Sequence, residues 1–589
     1  MDTLKSIKIK EWRLIMMKKR NVMILFSATV ALTLAACGSK EQSSSTSSNA
    51  AKTKYASEVT HDGTPIKGGT LKYAIVSSSP FSGIFADELS ADTNDSTIGG
   101  LVDESMFEYD ENRKLTNTGL ASIEFDVENK TATVTLNSKD YKWSDGQPVT
   151  IDDYIFAYQA IGNKDYTGVK ADSVSGLEKV DDYTVKIHFK EMSPSMQLAG
   201  GSVCAYIMPK HIFKDIPEAE WEKSEYVRGT KFVGLGQFKI ESIVAGESVT
   251  LVPNEHYYKG VAKVDKVVME VVSPDNIVSE MKAGNYDIAT MPNSQYEAYK
   301  DLTNVTLISS EASAYEYIGF HLGKYDKETG KNVTDPNAKM ADVNLRQAMA
   351  YALDIDAAGQ NLYNGLQHSS NSIIIPFFND IYNKEQEGFT YNPEKAKQLL
   401  DEAGYKDVDG DGLRENKDGS KLTINFAART RDEANESLVQ QYLNWWKEIG
   451  LDVKLYTGRT IELNSFYDKV QADDPEIDVF AGGWSTGYDP NPSGLFGETA
   501  QFNFERYVDA EGTAIMDKIS STESFDSAKN VEFYKEWQKY VHDKAFIFPT
   551  LVGESITAVN KRVKYYDVNL GSQKSALYQV ELTSDTGAK

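Results

Sequence analysis

Cysteine is nearly missing from this chain: 589 residues carry two, Cys37 and Cys204. If Cys37 is modified, no internal disulfide can form and the fold has to rest on its apolar core. Histidine is also scarce, seven residues with no His-x-x-x-His pair, which leaves an imidazole-built metal site poorly supported. No hydrolase nucleophile elbow is expected, and there is no Cys–His arrangement and no Gly-Lys-Ser/Thr phosphate loop. Among the 87 acidic residues no pair stands out by context as a hydrolytic couple. Positive charge is outnumbered, 62 Lys and Arg leaving a net charge of −25, which argues against nucleic acid as a partner. It argues equally against a broad contact with an anionic membrane surface. The same charge fits an exported protein kept soluble by acidic residues. No apolar run reaches the ~20 residues of a comfortable membrane span.

What is there is ordinary for a soluble body: 41% hydrophobic and 25% charged residues. The length exceeds what one core usually supports, so two or three lobes are expected. The front of the chain is an address. Met17-Lys18-Lys19-Arg20 is a basic start, 22–34 is a short apolar stretch, and Leu34-Ala35-Ala36-Cys37 ends it with small residues, the pattern of a secretory signal over 1–36. Residues 1–16 look like an upstream start-site assignment. Leu-Ala-Ala-Cys resembles the lipobox of bacterial lipoproteins, which implies cleavage before Cys37 and diacylation of its thiol. The Ser-rich stretch within 37–54 has too little apolar area to order itself and reads as a tether. Cys204, in Val203-Cys204-Ala205-Tyr206, reads as a small buried hydrophobe.

In the body, Lys67-Gly68-Gly69 is a turn before a strand from Thr70, and Thr131-Ala132-Thr133-Val134-Thr135-Leu136 alternates with period two, as a half-buried strand does. Thr150, with Asp153 three positions on, predicts a helix over Ile151–Ile161. Leu345, Met349 and Ala352 share a helical face, and 438–449, with Trp445 and Trp446, is a second amphipathic helix closed by Gly450. Trp143-Ser144-Asp145-Gly146 is turn chemistry, and Arg346 reads as the structural partner of a helix-end carboxylate. Strands and helices alternate throughout, which predicts an α/β fold.

Three blocks in order resemble the extracellular solute-binding proteins of family 5, the peptide-binding receptors of ATP-driven importers. They are Thr131–Leu136 running into Trp143-Ser144-Asp145-Gly146 and Asp152-Asp153; Val233-Gly234-Leu235-Gly236-Gln237-Phe238 with Asn254-Glu255-His256-Tyr257-Tyr258 and Ala283-Gly284-Asn285-Tyr286-Asp287; and Tyr317-Ile318-Gly319-Phe320-His321 with Asn344-Leu345-Arg346. The resemblance implies a type II binding-protein fold with two lobes, an additional domain and a ligand cleft between the lobes. Lobe I would comprise 55–100, 225–310 and 550–589, the additional domain 101–224, and the opposing lobe 311–549. It further implies a peptide ligand, with a sugar, a metal chelate or haem on the same scaffold, or a peptide pheromone, as the alternatives, together with permease and ATPase partners, a monomeric receptor with no catalysis and no required cofactor, and a lipid-anchored place on the outer face of the cell membrane.

A receptor for many peptides must bond the backbone they share, as an added strand. By the resemblance, the segment that does this runs from Asp478 to Pro490, with Gly483 and Ser485 as main-chain partners, Trp484 as an apolar wall and Tyr488 beside them. Asp489 is a candidate for the ligand amine; relatives carry an Asp where this chain has Gly487, and Asp489-Pro490 reads equally well as a turn. Tyr73, Tyr317, Phe320 and His321 lie on strands that face the cleft in relatives.

One further motif stands apart. Asp407-Val408-Asp409-Gly410-Asp411-Gly412-Leu413-Arg414-Glu415-Asn416-Lys417-Asp418 matches the calcium-loop template. Asp407, Asp409 and Asp411 stand at positions one, three and five, the Leu413 carbonyl at seven, Glu415 at nine and Asp418 at twelve. The alternative is an Asp/Gly-rich surface turn between a helix over Pro393–Ala403 and a strand at 421–426.

Overall fold

The computed structural model describes residues 54–86, 89, 92–110, 113–161, 174–198, 205–569 and 576–589. Cys37 and Cys204, and with them the signal, the expected acylation site and the tether up to residue 53, lie outside the described residues. Among the described residues no helix is long and apolar enough to cross a membrane.

Three sheets organise the chain. The first has eight strands in the order Val305–Glu311, Leu551–Asn560, Ile288–Met291, Thr70–Val76, Lys266–Val272, Ser248–Pro253 and Phe238–Val244, with Gln367–Ser369 pairing to Leu551–Asn560 off that path. It is mixed: Thr70–Val76 runs parallel to both of its neighbours, whereas Ser248–Pro253 is antiparallel to both of its own. The second has five strands, Asp452–Leu455, Thr423–Ala428, Val479–Ser485, Ala314–Phe320 and Ile547–Pro549. The third is a four-stranded antiparallel sheet, Ala121–Asp126, Thr131–Leu136, Thr184–Phe189 and Val174–Lys179. Sheets interleaved with helices are the α/β architecture that the alternating pattern predicts.

Local chemistry explains the elements. On Thr131–Leu136, Ala132, Val134 and Leu136 are buried with Val185 and Ile187 of the neighbouring strand, the period-two face the sequence shows. The helix Ile151–Ile161 starts where expected, and the Asp153 carboxylate accepts from the Thr150 amide at 2.9 Å. It also accepts from the Lys210 amide at 3.0 Å, tying the next helix to this one. Glu433–Glu448 is capped by Asp432 and buries Leu438, Val439, Tyr442 and Trp446. The Trp446 indole donates to the Met349 carbonyl at 3.0 Å and meets Phe426 edge-on at 5.0 Å. Arg346 is buried, and its partners are carbonyls rather than the expected carboxylate: Ala545, Lys544, Met340 and Ala341 all accept from it. One arginine thereby ties two helix ends together.

One continuous apolar core joins the four-stranded sheet to a face of the eight-stranded sheet, from Trp143 and Ile187 to Phe238 and Val249. A second core fills the body between Tyr315 and Val552. The chain passes directly from a strand of one of these two sheets to a strand of the other at two adjacent places, from Glu311 to Ala314 and from Pro549 to Leu551. There the Ala312 amide donates to the Gly553 carbonyl (3.0 Å) and the Thr550 amide to that of Glu316 (2.7 Å), so the crossings lie side by side.

Candidate functional site

The strand Val479–Ser485 ends beside these crossings. It pairs along its length with Ala314–Phe320, Ser485 opposite Ala314 and Val479 opposite Phe320. On its other side Thr423–Ala428 reaches only Ala481, after which that chain turns to bridge Ile461 through Arg429. Among the described residues, Gly482–Ser485 therefore has no strand partner on that side. The Thr486 amide donates to the Ser313 carbonyl at 2.8 Å, so the alternation of an antiparallel pair turns the main chain of Gly483 and Ser485 toward the open edge.

The paired glycines are there for the protein's own side chains. A methyl at Gly482 would overlap the Tyr317 ring; one at Gly483 would stand 2.7 Å from Arg429 Nη2 and 3.0 Å from Glu316 Oε2. Arg429 and Arg431 (2.6 Å) both grip the Glu316 carboxylate. Around this triad a pocket is lined by Ala428, Asn435, Leu438, Tyr442, Ala481 and Thr550 among others. The Tyr467 hydroxyl accepts from the Gly483 amide at 3.2 Å and donates to the Gly483 carbonyl at 2.8 Å. Nothing in the sequence singles out Tyr467, Arg429, Arg431 and Glu316, which come from three separate elements and carry no motif.

The residues expected at the cleft divide. Ser485 is exposed at the open edge and half-buried Trp484 packs on Phe502 at 5.5 Å. Tyr488 lies between Phe377, 6.3 Å and stacked, and Tyr109, 6.5 Å, which belongs to the part of the chain before the crossings. Asp489 is half-buried, and the Asn491 amide donates to it at 3.0 Å, the turn geometry that the Asp-Pro pair suggests. Its other partner is Ser195; both are neutral, and burial pushes its carboxyl up to about 7. Beyond it Asn491 Nδ2 donates to Ser195 Oγ at 3.1 Å, and Arg113 donates to the Phe377 carbonyl at 2.6 Å.

Four residues are not brought to this edge. Phe320 is fully buried against Phe548, about 20 Å along the strand from Ala314 at 3.4 Å per residue. His321 follows it, held by the Ile477 carbonyl at 2.9 Å. Tyr317 is buried over Gly482, its hydroxyl pushed up by burial and by the nearby Glu505 carboxyl. Tyr73 packs with Leu71 and Ile75 on the first core and bonds Tyr566. Period two gives the shared face of a strand, but these faces point inward.

Gly483-Trp484-Ser485-Thr486-Gly487 matches, letter for letter, the Gly-x-Ser-x-Gly of a hydrolase nucleophile elbow. That elbow places its serine between a strand and a helix; here a turn follows Ser485 and the next helix begins at Ser493.

In the acidic loop, Asp407, Asp409 and Glu415 bring donor oxygens within 4.8 Å of one another. Glu415 is buried and accepts from the Val408 amide at 2.7 Å. Asp411 accepts from the Leu413 amide, and Asp418 is turned to Ser420, accepting from its amide at 2.9 Å and its hydroxyl at 2.6 Å. The twelfth position of the template is thus drawn into a local turn, away from the three donors that converge. The neighbouring elements are the helix Pro393–Ala403 and the strand Thr423–Ala428.

The model of the bacterial extracellular solute-binding proteins, family 5, matches residues 117–503, more than half of the chain and inclusive of the open strand. The chain belongs to that family. The oligopeptide-binding protein OppA of Lactococcus lactis subsp. cremoris strain SK11 is 33% identical over 586 residues, covering 94% of this chain and 97% of its own. The oligopeptide-binding protein AppA of Bacillus subtilis strain 168 is 26% identical, covering 90% and 94%. Among solved structures, lactococcal OppA complexed with an endogenous peptide in the closed conformation superposes with a TM-score of 0.82 at 33% identity, covering 86% of this chain and 98% of that one. Family 5 membership makes the chain an extracellular solute-binding receptor with the two-lobed α/β fold.

Proposed function

We propose that this chain captures oligopeptides outside the cell and delivers them to an ATP-driven importer, of which it is the receptor. The observation that carries this reading is the open edge of Val479–Ser485 beside the paired crossings, in a chain whose oligopeptide-binding relatives align along nearly its whole length. A strand edge bonds any peptide through its main chain, and the lobes on either side supply walls that need not read side chains closely. Trp484, Tyr488 and Ser485 contact the ligand, and Asp489, whose partners are neutral, meets the ligand amine. An ammonium placed there relieves the cost of burying its charge. The receptor makes and breaks no bond in its guest, acts as a monomer, and is held at the outer face of the membrane by a lipid on Cys37. A calcium ion held by Asp407, Asp409 and Glu415 staples the loop at 407–418 without touching the ligand.

Mass spectrometry of the small molecules that co-purify with the protein, followed by calorimetric titration, tests the reading. Peptides that rebind saturably and leave unmodified support it. A co-purifying sugar or metal chelate, with no response to peptides, would overturn it.

A further inference from the structure

Gly483 has the form of a main-chain partner for a peptide: it faces the open edge and carries no side chain of its own. Yet its amide and carbonyl are both already taken. The Tyr467 hydroxyl, on the helix Leu463–Gln471, accepts from one at 3.2 Å and donates to the other at 2.8 Å. That pair of bonds is the pair an opposing residue of an added antiparallel strand makes. A hydroxyl can do this because it is one donor and an acceptor at once.

The hydroxyl is held in place. The Tyr467 ring packs against Phe466 at 5.0 Å and Phe504 at 5.7 Å. Arg429 Nη1 reaches the hydroxyl at 3.4 Å, while its other end is fixed on Glu316. The guanidinium covers the Gly483 Cα closely enough that any Cβ would collide with it. Gly483 is therefore enclosed in plane by Tyr467 and on one face by Arg429. Two residues on, Ser485 faces the same edge and is exposed.

The geometry points to Tyr467 as a register-setting residue: its hydroxyl stands in for one ligand residue at Gly483, so that a bound peptide pairs with Ser485 and is stopped there. This rests on the peptide-receptor reading and adds to it a defined end to the added strand. Tyr467 acts by positioning; the ligand's main chain meets Ser485. A peptide that pushed on toward Gly483 would have to break two existing bonds to make two, with no net gain.

The test is amide hydrogen exchange read residue by residue on protein labelled with 15N-glycine and 15N-serine. It is run with and without the synthetic nonapeptide (Ala-Val)4-Lys and the co-purified peptide pool, with calorimetry confirming binding. In the wild-type protein the Gly483 amide is protected without peptide and changes less than about two-fold on adding it, whereas Ser485 is slowed about ten-fold or more only with peptide. Tyr467→Phe keeps the ring and removes the hydroxyl. There the Gly483 amide exchanges about ten-fold faster without peptide and regains protection when peptide binds. Peptide binding with extra protection at wild-type Gly483, or with none at Ser485, overturns the register and leaves the receptor reading standing. So does a Tyr467→Phe protein whose Gly483 gains nothing from bound peptide. Failure of both probes to bind the wild-type protein sinks the two readings together. Should Tyr467→Phe not fold, the wild-type pattern alone decides.

Discussion

Arg113 and Asp380 meet across the two halves of the body, Nη2 to Oδ1 at 3.0 Å. The arginine is nearly buried, 11% exposed, and lies over the rings of Phe377 and Phe378 at 5.2 and 5.0 Å; the aspartate is 65% exposed. An ion pair with one partner so open to water contributes about 0–1 kcal/mol, so packing and the bond to the Phe377 carbonyl carry most of what Arg113 does. Asp380→Ala should slow or speed peptide release by no more than about five-fold, the factor that about 1 kcal/mol allows. Arg113→Ala should speed release by about ten-fold or more, and enlarge the radius of gyration in solution scattering. Equal effects of the two substitutions in stopped-flow dissociation would show that the charge pair dominates.

Asp489 makes stability depend on pH. Its folded value is about 7 against about 3.9 in an unfolded chain, so the folded state holds more protons between those values and loses stability as pH rises through that window. The cost is absent near pH 3 and complete above about pH 8. Asp489→Asn removes it, and the gain in Tm over wild type should be larger at pH 8 than at pH 4. A pH-independent difference in thermal melts would reject this account.

The same carboxyl gives a ligand test. Asp489→Ala should weaken peptides with a free α-amine and leave N-acetylated ones unchanged, with a loss of about ten-fold for a buried charge-assisted bond. Titration calorimetry that finds both peptide forms equally affected would remove Asp489 from the amine.

Gly482 and Tyr317 should be coupled. Gly482→Ala forces a methyl into the Tyr317 ring and should cost about 1–3 kcal/mol in urea unfolding. In a Tyr317→Leu background the cost should shrink, because the ring that the methyl meets is gone. Additive costs would show that the strand, rather than the ring, rejects the side chain.

For the acidic loop, millimolar calcium should raise Tm and chelation should reverse it, since an ion bound only by the folded state stabilises it by mass action. Asp409→Asn should abolish the response, while Asp418→Asn should leave it, because Asp418 is engaged with Ser420. A melt indifferent to calcium would reduce the loop to a turn.

Period and capping chemistry act between residues near in sequence, and there sequence pattern and structure agree closely. Thr131–Leu136, Ile151–Ile161 and Pro393–Ala403 stand where the pattern puts them, and the ordered blocks carry the family in the sequence alone. Alternation reveals that Tyr317 and Phe320 have strand neighbours and faces, but which face meets a core depends on helices hundreds of residues away. Gly482-Gly483 signals close approach without saying whose atoms approach, and the answer comes from Tyr317, Arg429 and Tyr467, on three other elements. Whether a strand edge is open is likewise a property of where its partner stops, at Ala428, and no local pattern encodes that.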